Sequence, residues 1–149
     1  MLVKETLKEY KLKSVLKDTE KWKQAKIFAS KDAYQFALQF YTEIDIYESF
    51  FLLLLDRSNK TIGYAKISQG GVAGTVVDPK IIFKYALESL ASGIIMVHNH
   101  PSGNLNASIS DIELTKKVKN GAKHFDINLL DHLIISENGF LSMADECLI

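Results

Sequence analysis

The chain reads IIMVHNHPSGNLNASISD from Ile94 to Asp111, an apolar run followed by closely spaced polar residues. The apolar part predicts a buried strand that ends in His98 and His100, and side chains at i and i+2 project from the same face of a strand. Asp111 can supply a third ligand to the same ion. Three protein ligands leave one zinc position open for water, which distinguishes catalytic zinc sites from structural ones. The pattern therefore predicts a metal-dependent hydrolase.

Ser108 and Asp111 also fit a second interpretation, the capping box of a helix. A serine at the N-cap and an acidic residue three positions later stabilise a first helical turn, and Leu114, Val118 and Ala122 follow at helical spacing. Such a cap contributes about 1 kcal/mol without any catalytic role. The spacing alone leaves capping and metal binding open for this pair, whereas two histidines at a strand end favour coordination over a core role.

Hydrophobic periodicity elsewhere predicts alternating helices and strands. Continuous apolar strands at Phe50–Leu55 and Ile94–Val97 indicate a sheet that is covered on both faces. Pro79 suits the first turn of a helix, and Asn138-Gly139 is a hairpin signal. The other predicted elements are helices over Lys31–Thr42, Pro79–Leu90 and from Ser108, and strands over Thr61–Ile67, Thr75–Val77, Asn128–Ile135 and Phe140–Leu141.

Two motifs in this order resemble those of a known family. His98-Asn99-His100-Pro101-Ser102-Gly103, with Ser108 and Asp111 at these spacings, is similar to the JAMM (MPN+) metalloprotease signature. Together with Leu130-Asp131-His132-Leu133-Ile134-Ile135 it resembles the RadC branch of that family. The resemblance covers residues 27–149, and residues 1–26 are left as a Lys-rich N-terminal arm with eight lysines and four acidic residues.

The resemblance implies an α/β fold, a three-layer α-β-α sandwich with a mixed central sheet of the cytidine-deaminase-like JAB/MPN type. Deaminase chemistry itself is not expected, because those enzymes use His-x-Glu with Pro-Cys-x-x-Cys and this chain has neither motif. The implied metal ligands are instead His98, His100 and Asp111, holding Zn²⁺.

The family pattern also asks for a glutamate before an earlier strand, and Glu48 is the match, as general base. Glu43 is the competing candidate, and a solvated residue at a strand end is the structural alternative for Glu48. Ser108 is implied to help stabilise the oxyanion, in addition to any capping role.

Three further residues are expected around the ligands, where hydrogen bonds would orient them. They are Asn99, Asp131 and His132. For His132, a buried and hydrogen-bonded histidine without a part at the site stays an equal alternative.

The sequence departs from the RadC pattern in two places. Ala107 stands where many members have proline before the motif serine, which can loosen the loop without altering the ligands. The first 26 residues are also too few for the helix-hairpin-helix-like region of full-length members, so DNA binding through that region is not expected.

Composition limits the remaining function classes. Eighteen basic and eighteen acidic residues give a net charge of zero, so there is no basic footprint for nucleic acid outside the Lys-rich arm. One cysteine excludes a disulfide framework, and no apolar run is long enough to span a bilayer. We therefore expect a cytoplasmic protein that does not associate with membranes.

Three functions remain open at this point. The favoured one is a zinc peptidase or isopeptidase whose partner is a peptide or protein of unknown identity. The second is a RadC-like DNA repair accessory protein or nucleic-acid-associated factor, and the third is a catalytically silent interaction scaffold. The Lys-rich arm leaves docking, pairing in a homo-oligomer and a solvated face as alternatives.

Overall fold

The computed structural model describes residues 23–71 and 75–149, so most of the predicted Lys-rich arm, up to Trp22, lies outside the described residues. The described residues form helices α1 (Ser30–Leu38), α2 (Pro79–Glu88) and α3 (Ile109–Lys123). They also form strands β1 (Ser49–Leu55), β2 (Thr61–Gln69), β3 (Gly93–Asn99), β4 (Asn128–Ser136) and β5 (Gly139–Ser142).

The strand predicted over Thr75–Val77 is wrong, because residues 75–78 adopt no regular secondary structure. Val76 is 90% exposed and has no sheet face to cover. Asp78 instead caps α2, since its side chain accepts a hydrogen bond from the Lys80 N–H, and Pro79 occupies the first turn as predicted.

The strands form one mixed sheet in the order β2-β1-β3-β4-β5. β1 pairs antiparallel with both β2 and β3, β3 pairs parallel with β4, and β4 pairs antiparallel with β5. β1 and β3 lie inside the sheet, and every residue of both strands is buried. Their continuous apolar sequences are explained by this burial on both faces.

The two faces of the sheet carry separate hydrophobic clusters. Leu52 and Met96 lie in the cluster formed with α2 and α3. Leu53 and Val97 lie in the cluster on the other side, with Ala33 and the rest of the apolar stripe of α1. Helices therefore cover both faces, and the predicted three-layer α-β-α arrangement with a mixed sheet is confirmed.

The connection from β3 through α3 to the parallel strand β4 positions the polar residues of the central motif. In such a β-α-β unit the carboxyl end of the first strand meets the amino end of the helix that follows. His98 and His100 are thus brought beside Asp111 in the first turn of α3. Within residues 23–71 and 75–149, no helix is both long and apolar enough to cross a bilayer.

Candidate metal centre

Three side chains converge where β3 ends and α3 begins. His98 Nε2 lies 3.0 Å from His100 Nε2 and 3.3 Å from Asp111 Oδ1, and His100 Nε2 lies 3.7 Å from Asp111 Oδ2. Their ligand atoms all lie within 4.8 Å of one another. Two atoms bound at about 2.0–2.1 Å to a tetrahedral zinc ion stand about 3.4 Å apart, so both the donor types and their separations fit zinc.

His100 is held by the loop that follows it. Its Nδ1 lies 2.6 Å from the carbonyl oxygen of Asn104, and because a carbonyl oxygen only accepts, Nδ1 must carry the hydrogen. The lone pair is therefore on Nε2, which faces the other two ligands. The Gly103 N–H donates to the His100 carbonyl at 2.9 Å, closing a turn in which Gly103 has φ +80°. That left-handed conformation suits glycine.

Asp111 serves as the acidic member of a helix capping box and also faces the histidines. Its Oδ2 accepts from the Ser108 N–H at 2.8 Å, and Ser108 Oγ accepts from the Asp111 N–H at 3.1 Å. Its Oδ1 is turned toward His98. Capping and ligand geometry, which the spacing left as alternatives, are thus combined in one carboxylate.

The electrostatics at Asp111 favour its ionised form. Burial raises the pKa of this carboxyl, but the hydrogen bond and charge of His98 and the donors of Ser108 outweigh burial and hold the pKa well below its usual range. A carboxylate that stays ionised at neutral pH is the form that can bind a cation.

His98 is buried in the core and is positioned by side chains. It is 1% exposed, and its ring stacks on Phe50 with centroids 5.6 Å apart. Its Nδ1 lies 2.8 Å from Nε2 of His132, whose Nδ1 in turn lies 2.6 Å from Thr115 Oγ1. Burial, and then the charge of His98, lower the pKa of His132 well below its usual range, which favours a neutral imidazole.

Glu48 lies one residue before β1, at the edge of this group. The antiparallel pairing of β1 with β3 ends at Phe50 and His98, so Glu48 and His100 each stand two residues beyond the same end of the paired region. Among the described residues, no hydrogen bond or ion pair joins its carboxylate to the three ligands. The competing Glu43 is exposed, and its carbonyl oxygen accepts the N–H groups of Ile46 and Tyr47.

Comparison with known proteins assigns the family. Residues 27–148 match the RadC-like JAB domain. The chain belongs to the RadC-like JAB domain family. The resemblance noted from the motifs is thereby confirmed.

Relatives with high similarity carry the name UPF0758 protein, which states no activity. The Flavobacterium johnsoniae protein is 46% identical over 124 residues, which cover 83% of this chain and 54% of the relative. The Porphyromonas gingivalis protein is 41% identical over 121 residues, covering 80% and 53%, respectively. The Coprothermobacter proteolyticus protein is 37% identical over 129 residues, covering 85% and 55%. The chain thus spans about half the length of the curated relatives it matches.

In this RadC-like JAB domain, Asn99 connects the ligand strand to the loop that carries Glu48. It is fully buried between the two histidine ligands, and its Nδ2 donates to the carbonyl oxygens of Ile44 at 2.6 Å and Tyr47 at 2.8 Å. Its Oδ1 accepts from the Ser49 N–H at 2.8 Å. One amide therefore satisfies three backbone groups on both sides of Glu48.

Asp131 faces the C-terminal turn of the RadC-like JAB domain. Its carboxylate accepts from Ser142 Oγ at 2.5 Å, from the His132 N–H at 2.7 Å and from the Ala144 N–H at 3.1 Å. Burial raises the pKa of this carboxyl, although these donors oppose the shift. Of the two residues in the Asp-His motif, only His132 contacts a ligand side chain within the described part of the chain.

Sequence reasoning missed Thr115, which is fully buried beside His132. A signal was available, because Thr115 follows Asp111 by four residues on α3 and such residues share one helix face. The pattern placed Thr115 near the site but gave no reason to connect it to a strand 17 residues away.

Proposed function

We propose that this RadC-like JAB domain is a zinc-dependent hydrolase that cleaves a peptide or isopeptide bond by using water. The observation that carries the proposal is the convergence of two imidazole Nε2 atoms and one carboxylate oxygen where β3 meets α3. Two nitrogens and one oxygen from the protein leave a fourth zinc position for water. A closed structural site would have required a fourth protein ligand.

A bound zinc ion would lower the pKa of its water to about 7 and polarise the carbonyl group of the substrate. Within that chemistry, Glu48 is the proposed general base, taking a proton from the attacking water and returning it to the leaving amine. The position of Glu48 and His100, each two residues beyond the Phe50–His98 pair, supports this role. The anchoring of its loop by Asn99 supports it further, because a base must be held within reach of the proton it moves.

Ser108 is the proposed donor to the oxyanion of the tetrahedral intermediate. Its Oγ already accepts the Asp111 N–H, so its own hydrogen is left to donate, and Ser110 Oγ at 2.9 Å is an exchangeable partner. Loss of one such donor typically raises the barrier by about 2.7–4 kcal/mol.

The proposed substrate is a peptide or protein chain, and the proposed compartment is the cytoplasm. A single cysteine and zero net charge support these assignments over a secreted or a nucleic-acid-binding protein. The nucleic-acid interpretation predicts DNA affinity that falls steeply with salt, and the scaffold interpretation predicts no dependence on Glu48. The nucleic-acid interpretation is tested by measuring DNA affinity at increasing salt concentration, and the scaffold interpretation by comparing the wild type with Glu48→Gln.

The first test is calorimetric titration of zinc into chelator-stripped protein, with His100→Ala as the control for adventitious binding. We expect one tight site in the wild type and none in the variant. Absence of a site in both proteins would overturn the proposal.

The second test compares cleavage of a mixed peptide library by wild type and by Glu48→Gln. The amide keeps the size of the side chain but cannot take a proton, so we expect zinc to stay bound while cleavage falls about 10²- to 10⁴-fold. Equal cleavage by the two proteins would remove Glu48 from the mechanism, and no cleavage by either would favour the scaffold interpretation.

A further inference from the structure

We propose that Thr115 is a positioning residue that determines, through His132, which ring nitrogen of His98 presents a lone pair at the metal centre. The inference rests on the proposed function, since it concerns the same ligands. It is carried by a continuous path of hydrogen bonds from the Asp111 backbone to the His98 ring.

The path begins at an atom that can only accept. Thr115 Oγ1 lies 2.5 Å from the backbone carbonyl oxygen of Asp111, and a contact this short requires the hydroxyl hydrogen to lie between them. A hydroxyl has one hydrogen, so the Met143 Sδ at 3.4 Å receives at most a weak share. Thr115 is therefore left as an acceptor toward His132.

The direction of each later bond follows from that first one. His132 Nδ1, 2.6 Å from Thr115 Oγ1, must donate, so the Nε2 of a neutral His132 is an acceptor. His98 Nδ1, 2.8 Å from that Nε2, must then donate in its turn. The remaining nitrogen of His98, Nε2, is then the only ring position that can present a lone pair to a metal ion, and it faces Asp111 and His100.

The reverse direction would disable the site. If the hydroxyl of Thr115 donated to His132, both imidazoles would switch tautomer and a hydrogen would sit on His98 Nε2, where zinc has to bind. Thr115 and His132 are both completely buried, so bulk water does not supply a competing partner. One hydroxyl hydrogen in α3 thus controls a ligand on β3.

The arrangement also ties the ligands to one another. The accepting carbonyl belongs to Asp111, whose side chain is itself a ligand. The start of α3 therefore supplies a carboxylate to the metal centre and orients the histidine opposite it. Orientation of a ligand imidazole by a second hydrogen bond is generally worth about 10- to 100-fold in metal affinity.

The test uses Thr115→Val, which removes the hydroxyl at nearly constant shape, and Thr115→Ser, which keeps it. Thr61→Val is the matched control, because Thr61 is also a buried threonine whose Oγ1 accepts a backbone N–H, from Ala25, far from the centre. The first measurement is the tautomer of His98 in zinc-free protein, by long-range ¹H–¹⁵N correlation of the imidazole nitrogens.

We expect His98 Nδ1 to carry a hydrogen in the wild type, Thr115→Ser and Thr61→Val, and to carry it in only part of the molecules in Thr115→Val. In calorimetry, Thr115→Val should bind zinc about 10- to 100-fold more weakly. Thr115→Ser and Thr61→Val should both bind zinc with the affinity of the wild type.

Two results would overturn the proposal. One is an unchanged His98 tautomer with unchanged zinc affinity in Thr115→Val, and the other is an equal loss in Thr115→Ser, which would indicate packing instead of the hydroxyl. If Thr115→Val does not fold, as judged by circular dichroism, Thr115→Ala provides the same comparison. Because the tautomer is read without zinc or substrate, failure of the wild type to bind zinc would refute the proposed function separately.

Discussion

The two histidines of the candidate centre are neighbours in sequence but are held in opposite ways. The side chain of His98 is 2% exposed, and its orienting partner is His132 from β4, itself supported by α3. The side chain of His100 is 18% exposed, and its orienting partner is a carbonyl oxygen of its own loop, four residues away. The His98 half of the centre is thus part of the core, whereas the His100 half depends on a local turn. This difference predicts that loss of the His98 side chain lowers the stability of the fold more than loss of the His100 side chain.

Replacing each histidine in turn tests most directly whether the two halves of the centre differ. His98→Ala and His100→Ala should both lose the tight zinc site. In zinc-free protein His98→Ala should also lower the free energy of unfolding by about 3–5 kcal/mol, because it leaves a cavity against Phe50 and an unpaired His132 nitrogen. His100→Ala should change it by less than about 1 kcal/mol. Urea unfolding measures both, and equal losses would mean that the loop half is as much a part of the core.

Replacing Ser108, which lies between the two halves, is expected to affect catalysis much more than stability. Ser108→Ala should raise the barrier by about 2.7–4 kcal/mol through loss of the proposed oxyanion donor. It should lower stability by only about 1 kcal/mol through loss of the cap, and zinc should stay bound.

Ser108→Gly is the control for capping, because replacing serine by glycine at an N-cap lowers stability by only roughly a few tenths of a kcal/mol. We expect both variants to have the same low kcat but different urea midpoints. Loss of zinc in Ser108→Ala would instead make the serine a structural support of Asp111, since its N–H and Oγ both bond that residue.

Asn99 tests whether the buried half also organises the loop of the proposed base. Asn99→Ala leaves the carbonyl oxygens of Ile44 and Tyr47 and the Ser49 N–H without their partner, so we expect a stability loss of about 2–3 kcal/mol. Because these groups flank Glu48, kcat should fall while zinc affinity changes far less.

The control for that experiment is Asn106→Ala, an exposed asparagine in the loop half, which should change stability by less than about 0.5 kcal/mol. A parallel fall of zinc affinity and kcat in Asn99→Ala would contradict the assignment. It would show that Asn99 acts on its ligand neighbours instead of on the Glu48 loop.

The parts of the molecule that the sequence predicted are those fixed by local periodicity. Alternation along β3 put His98 and His100 on one face, and the capping pattern placed Asp111 in the first turn of α3. The contacts that no local pattern encodes were not predicted, above all the one from Thr115 to His132. The failed strand at Thr75–Val77 has the same origin, because β-branched residues favour a strand only where a neighbouring strand can pair with them.

The loop half is expected to give the smallest effect, at Gly103. This residue has φ +80°, and a Cβ there would meet no atom within 4 Å, so Gly103→Ala introduces backbone strain without a steric clash. We expect the free energy of unfolding to fall by about 1 kcal/mol. If the turn relaxes and carries the Asn104 carbonyl away from His100, the same energy corresponds to roughly five-fold weaker zinc binding. Gly71→Ala is the matched control, because a Cβ there also meets nothing within 4 Å and its φ lies outside the left-handed region. If Gly103→Ala lowered the free energy of unfolding as much as His98→Ala, the loop would be folding together with the core, and the two halves of the centre would not differ as their contacts indicate.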